Sequence, residues 1–364
     1  MTTTSMATTS TSTLTIVRDA AVATVLVLAL AAGICAAFDR HVLTTWVGFF
    51  FIAATPAEVI LSMLWQSRHP PFIARLAQPA KGLVLTGATA LAGGVIGLLL
   101  FYFAGAGVSP PTPMLLMLAM VSVVTIMWLI PIWHCWPLST LTSNQTILGI
   151  ATLVAAYVAA VLVFRAAFDF SFLEHTPVYV ANLDPKGWVS AWVALSVLVT
   201  TVAVTLVAVL FDFWPLSKVL PTRRQPAFGI AVTAGVVIGT TLLYEFFTHI
   251  GGLDPVELLV RVAVSLIYGI FLVNLMTGHQ LLAHWNQPQR GLALTVIAAA
   301  LAIAMYGVYA HSAPFIARHT LAAGSPTYEL EIWVANAMLG ITFPLMVMFA
   351  DFFEFWPLNR QPSR

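Results

Sequence analysis

Charge is what this chain has least of. Of 364 residues, 15 are Lys or Arg and 14 are Asp or Glu, 8% in all, where a soluble domain carries about 25%. That shortage excludes an ordinary water-soluble domain. The near balance of signs, a formal net charge of +1, also leaves no basic surface for nucleic acid. Cysteine is almost as scarce. Cys35 and Cys135 are the two present, and the spans read below put them at opposite ends of their helices, most of a bilayer apart, which excludes a disulfide between them. There is no Walker loop, no G-x-S-x-G and no dinucleotide fingerprint, so an ATP-driven pump within this chain alone is excluded.

What is present is apolar: 60% of the residues are hydrophobic and the mean hydropathy is +0.94. Ten apolar stretches lie between polar breaks at about 17–37, 43–65, 82–104, 114–136, 146–166, 189–211, 227–247, 257–277, 291–311 and 331–353. Each is long enough to cross about 30 Å of hydrocarbon as a helix. Lipid cannot satisfy an exposed strand edge, and the runs lack the alternation of a barrel, so the fold class is an all-α polytopic membrane protein. It is a single transmembrane domain over 17–357, between a disordered Ser/Thr-rich tail at 1–16 and a short tail at 358–364.

With the amino terminus in the cytoplasm, the inner side holds Arg18, Arg68, Arg75, Lys81, Lys218, Arg223, Arg224, Arg290, Arg360 and Arg364. The outer side holds Arg40, Arg165, Lys186, Arg261 and Arg318. Ten against five is the positive-inside bias of a cell-membrane (inner-membrane) protein with both termini cytoplasmic. The first span also resembles a signal peptide, with small residues at Ala36–Ala37; the repeat described next requires that it be kept.

Tryptophans recur at the ends of the even-numbered spans as Trp65, Trp136, Trp214, Trp285 and Trp356, spaced by 71, 78, 71 and 71 residues. Three stand in the phrase W-P-L, at Trp136, Trp214 and Trp356, and the odd spans open with Pro or Gln three or four residues ahead of Gly82, Gly149, Gly229 and Gly291. Proline disfavours helical geometry in the residue before it, so W-P is expected to stop each even helix, with the indole at the headgroup level. The spacing predicts five tandem αα-hairpins. Odd spans are rich in Gly, Ala and Thr, and even spans tend to be bulkier. Small side chains allow close backbone approach, which predicts an inner ring of odd helices within an outer ring of even ones. That layout resembles the fold of plant anion channels and tellurite-resistance proteins in architecture alone, since no motif of that family is present.

Ionisable groups inside a membrane are costly and are functional candidates by default. Glu58 is the most deeply placed acid, two residues after Pro56. The position two before the repeat tryptophan holds His134, Asp212 and Glu354, and Asp351 lies a turn above Glu354. These five are candidates for a transport pathway or ion site. Salt bridges to Lys218, Arg223, Arg224 or Arg360 are the competing account of Asp212 and Glu354, and Arg68 or Lys81 that of Glu58. On the outer side Asp39, His41, Glu245, His249 and His311 offer imidazole and carboxylate for copper or zinc, without a tight motif. Glu329 and Glu331 read as wet loop residues, and Glu257 with Arg261 as an ion pair one helical turn apart. Nine histidines also raise haem, although none recurs at a spacing that would stack haems.

The leading expectation is an integral membrane permease or channel for a small solute or ion, proton- or cation-coupled, with no catalytic residues and no cofactor. The alternatives are a membrane-embedded metal- or haem-binding redox protein and a non-catalytic subunit of a membrane complex. Expected partners are the lipid bilayer and the small solute or ion, in a homo-oligomer or membrane complex; nucleic acid is not among them.

Overall fold

Apolar segments of this length have one stable form in hydrocarbon, since lipid offers no partner to an open backbone. A computed structural model describes residues 13–65, 69–221 and 224–358 and is almost entirely helical. Among these residues nine helices are long and apolar enough to cross a membrane: α1 (Leu14–Ala37), α2 (Arg40–Leu64), α3 (Ala80–Ala104), α5 (Gln145–Ala167), α6 (Ala191–Leu210), α7 (Ala227–Ile250), α8 (Pro255–Asn274), α9 (Gln289–Ala317) and α10 (Glu329–Phe352). The remaining expected span is α4 (Pro113–Leu129), 17 residues long. This is the architecture of a multi-pass membrane protein. The expected tails lie almost wholly outside the described residues, as do Arg68, Arg223, Arg360 and Arg364, and α1 is already helical at Thr13.

Burial runs opposite to the ring expected from composition. The apolar windows of α2, α6, α8 and α10 are 72%, 56%, 72% and 67% buried, against 22%, 22%, 33%, 28% and 22% for α1, α3, α5, α7 and α9. The even helices pack on one another in order: α2 on α4, α4 on α6, α6 on α8, α8 on α10, and α10 on α2. Odd helices lie against their outer faces, α3 on α2 and α10, α5 on α4 and α2, α9 on α8 and α6.

The physical reason is that small residues allow close approach along one stripe only. In α1 that stripe is Ala23, Val27, Ala31 and Cys35, all buried at four-residue spacing, while Val22, Val25, Leu26 and Leu30 are exposed. In α3 it is Gly82, Leu85, Thr89, Gly93 and Gly97. A Cβ on Gly93 would run into Ala54 of α2 at 2.5 Å, so that helix pair needs glycine. A helix packed by one narrow stripe turns its other faces to lipid. A helix with two even neighbours and flanking odd ones needs bulk to fill the space.

Helix termination also differs from expectation. α4 ends at Leu129 and α6 at Leu210, seven and four residues before Trp136 and Trp214. The chain reverses through left-handed residue pairs, His134 and Cys135, Asp212 and Phe213, and Glu354 and Phe355, with φ between 48° and 60°. None is glycine, so each pair needs support from its surroundings.

That support comes from the start of an odd helix. Gln78, Gln225 and Gln287 donate through Nε2 to the carbonyls of Phe352, Ile132 and Leu210 at 2.8, 3.0 and 2.9 Å. Each accepts through Oε1 from the N–H of the glycine four residues on, Gly82, Gly229 or Gly291, at 3.3, 3.1 and 3.0 Å. Those glycines seat aromatic rings: a Cβ at Gly82 would lie 2.5 Å from Phe353, at Gly229 2.8 Å from Trp133, and at Gly291 2.5 Å from Phe211. At a fourth junction Trp65 Nε1 donates to the Gln145 carbonyl at 2.8 Å, and Gly149 seats its indole.

Candidate functional site

Five apolar helices packed side by side leave space along their axis when their inward side chains do not fill it. Here that space is a cavity of about 880 Å³ to which all five even helices contribute. α2 provides His41, Thr44, Ile52, Thr55 and Val59; α4 provides Met117, Met120 and Met127; α6 provides Leu195 and Val199. α8 supplies Leu259, Val264 and Phe271, and α10 supplies Asn336, Leu339, Gly340 and Phe343. From His41 to Val59 the cavity follows α2 for about 27 Å at 1.5 Å per residue.

The mouth lies at the end away from W-P-L. It is shaped by Val108–Pro113, by Phe172–Val180 and by Ser325–Tyr328. Phe172, Trp192 and Tyr328 form an aromatic run there, with ring centroids 6.5 and 6.2 Å apart. At the other end Phe271 and Phe343 stack at 4.3 Å and form part of the floor.

From Ile60 on in α2, and at the same end of α10, the two even helices with a proline in their interior change pitch. Pro56 is followed four residues later by a π turn at Ile60–Leu64, and Pro344 four residues later by one at Met348–Phe352. A proline removes one ladder hydrogen bond and crowds the preceding turn, and single π turns recur at functional sites. The candidate acid Glu58 stands between Pro56 and the first of these turns, and Asp351 lies within the second. Glu58 is fully buried, and among the described residues neither of its carboxyl oxygens has a hydrogen-bond partner. Asp351 lies within range of its charge and meets Ser62 of α2. Lys81 is not the partner of Glu58: its ammonium pairs with Glu354 at 2.5 Å. Arg68, the other expected partner, is outside the described residues.

The remaining candidates of that group are held apart, each at its own helix junction. Glu354 pairs with Lys81 of α3. Asp212 accepts from Gln287 Nε2 at 2.8 Å and faces Arg290 at 3.8 Å. His134 Nδ1 lies 3.2 Å from Gln225 Nε2. Asp212 and Glu354 thus face cations on the odd helices, Arg290 and Lys81; of the partners expected for them, Arg223 and Arg360 are outside the described residues. His69, beside the Lys81–Glu354 pair, is half-buried, and its Nδ1 has no hydrogen-bond partner among the described residues. Burial first, and then the neighbouring Lys81 charge, holds its imidazole below the ordinary histidine range.

The expected metal ligands are dispersed. Asp39 caps the start of α2, accepting from the N–H groups of His41 and Val42 at 2.8 and 3.1 Å. His41 lines the cavity mouth. Glu245 and His249 pair with each other at 3.0 Å on the exposed face of α7, and His311 packs against Phe315 on α9. Among the described residues no group of three or more His, Cys, Asp or Glu side chains could hold a metal ion.

Sequence reasoning missed Glu331. It is fully buried rather than in a wet loop, accepting from Arg261 at 3.2 Å and from the Gly324 N–H at 3.1 Å. The expected Glu257–Arg261 pair is present at 2.8 Å, so Arg261 bridges two carboxylates. With the Arg40–Glu329 pair at 2.7 Å, this network ties the segment Ser325–Tyr328 over the cavity mouth. The available signal was the position of Glu331 two residues into an apolar run. Its partner, 70 residues away, has none.

No protein-family model, no curated protein and no solved structure matches this chain.

Proposed function

We propose that this protein is a permease or channel of the cell membrane, with both termini in the cytoplasm, and that its pathway runs along the axis enclosed by the even helices. The observation that carries this reading is the cavity of about 880 Å³ built from all five of them. Its volume lies in the range of small-molecule sites. Its walls are long helices rather than a crevice between loops.

The reading includes five related hairpins, supported by the glutamine–glycine–aromatic junction recurring at the starts of α3, α7 and α9. It also includes coupling. A fully buried carboxyl with both oxygens unpartnered among the described residues is costly as an isolated charge, and Glu58 with Asp351 is the place where a proton or cation is taken up. The π turns after Pro56 and Pro344 are where α2 and α10 shift when the floor opens. No specific observation favours the redox reading.

The test is uptake into proteoliposomes by wild type, Gly340→Phe and Glu58→Gln. Gly340 lines the cavity, and a Cβ there meets nothing closer than 3.5 Å, so the first atom of a larger side chain is accommodated there. Flux is expected to vanish in Gly340→Phe while thermal stability is kept. Glu58→Gln is expected to lose flux or its dependence on a proton gradient. Flux unchanged by Gly340→Phe retires the axial pathway, and flux unchanged by Glu58→Gln retires the coupling site.

A further inference from the structure

The cavity's lining carries information about its guest that its volume does not. Among the described residues no Asp, Glu, Lys or Arg side chain lines it, and the one imidazole, His41, stands at the mouth. The polar side chains that line it along the helices are few and uncharged, and the threonines of α2 are already engaged. Thr44, Thr45 and Thr55 donate to the carbonyls of Arg40, His41 and Phe51 at 3.0, 2.6 and 2.9 Å. Asn336 donates through Nδ2 to Ile332 at 2.9 Å, which fixes the amide, and its Oδ1, buried and without a hydrogen-bond partner among the described residues, lies between Gly48 of α2 and Gly340. The α2 hydroxyls have spent their protons on backbone, and what Asn336 leaves unpaired is one neutral amide oxygen.

An ion entering this space would leave its hydration shell and find no compensating charge and no ring of free carbonyls. An apolar molecule loses nothing on entry. Met117, Met120 and Met127 add flexible, polarisable surface that adapts to irregular shapes.

Resting on the pathway reading above, we infer that the molecule accommodated in this cavity is an uncharged, predominantly apolar one, and that ions are excluded from it. The proton or cation of the coupling site is taken up at Glu58, which stands level with the cavity's end but is not part of its lining, and does not traverse the cavity as a bare charge.

The experiment uses the purified full chain in lipid nanodiscs and three photoreactive diazirine probes with the same eight-carbon chain, ending in an alcohol, a carboxylate or a quaternary ammonium. The alcohol probe is expected to label cavity residues such as Met117, Met120 or Leu339 saturably. Gly340→Phe should lower that labelling at least tenfold while leaving labelling of the exposed residues Leu91 and Leu242 unchanged. The carboxylate and ammonium probes should label the cavity at least tenfold less than the alcohol. Equal cavity labelling by either charged probe overturns the inference, as does alcohol labelling confined to lipid-facing residues or indifferent to Gly340→Phe. The two readings fail separately. Saturable cavity labelling without accelerated flux of any probe refutes the permease and leaves the binding site standing. Accelerated flux of the charged probes, lost in Gly340→Phe, refutes the apolar guest and leaves the permease standing.

Discussion

Removing Arg261 should cost more than removing its buried partner, and the structure supplies the magnitudes. Arg261 reaches two carboxylates, Glu257 at 2.8 Å and Glu331 at 3.2 Å, with side-chain exposures of 19% and 0% against 36% for Arg261 itself. In Arg261→Met the Glu331 charge keeps only the Gly324 N–H. Breaking a buried pair in this way costs about 3–5 kcal/mol, because an uncompensated charge stays inside. In Glu331→Gln the amide oxygen still accepts from Gly324, and Arg261 keeps Glu257 and its contact with water. The loss there is one charge-assisted hydrogen bond, about 1.5–3 kcal/mol. The double variant should fall close to Glu331→Gln alone, so the coupling equals the cost of Arg261→Met by itself, about 3–5 kcal/mol. The assay is reversible unfolding in mixed micelles for the four members of the cycle. Arg261→Met costing no more than Glu331→Gln would falsify the reasoning, and so would strict additivity in the double variant. Because this network holds Ser325–Tyr328 over the cavity mouth, Arg261→Met should also raise protease sensitivity within that segment.

Three further outcomes follow from the helix junctions. Gly291→Ala places a methyl into the Phe211 ring, and Gly229→Ala one into Trp133, each costing about 1–3 kcal/mol by overpacking; Gly94→Ala and Gly235→Ala, which meet nothing within 4 Å, should be neutral or gain up to about 1 kcal/mol. A thermal-melt comparison in which all four behave alike would refute the seat. Asp212→Asn and Glu354→Gln remove exposed pairs worth about 0–1 kcal/mol, a difference that should disappear in high salt. His69 stays neutral in the folded chain at pH values where the unfolded chain takes up a proton. Its contribution is therefore full above the unfolded value of about 6.5 and is lost as pH falls through the folded one. The melting temperature should drop between about pH 7 and 5, less so in His69→Gln; an equal drop in both refutes the assignment.

How much of this was legible without coordinates depends on the range of the interaction. Span positions are local sums of side-chain transfer free energies, so hydrophobic runs locate them. The Glu257–Arg261 pair is likewise local, one helical turn. The recurrence of tryptophan and glycine could be counted, but its cause could not. Each glycine is matched to an aromatic ring from a different hairpin, and only the fold shows that the glutamine before it closes on a carbonyl there.

The inside and outside of the bundle were misread for a related reason. Composition averages over a helix, and it cannot distinguish small residues spread all round from small residues gathered on one stripe beneath lipid-facing Leu and Val. The sequence by itself determined an apolar, multi-pass helical chain and the few acids that fall within its spans. Tertiary structure decided which helices enclose the axis, that Glu331 is buried while Asp212 and Glu354 stand at the rim, and that the enclosed space is lined without charge. Those outcomes depend on which face of each helix meets which neighbour, a property of pairs of distant residues rather than of any run along the chain.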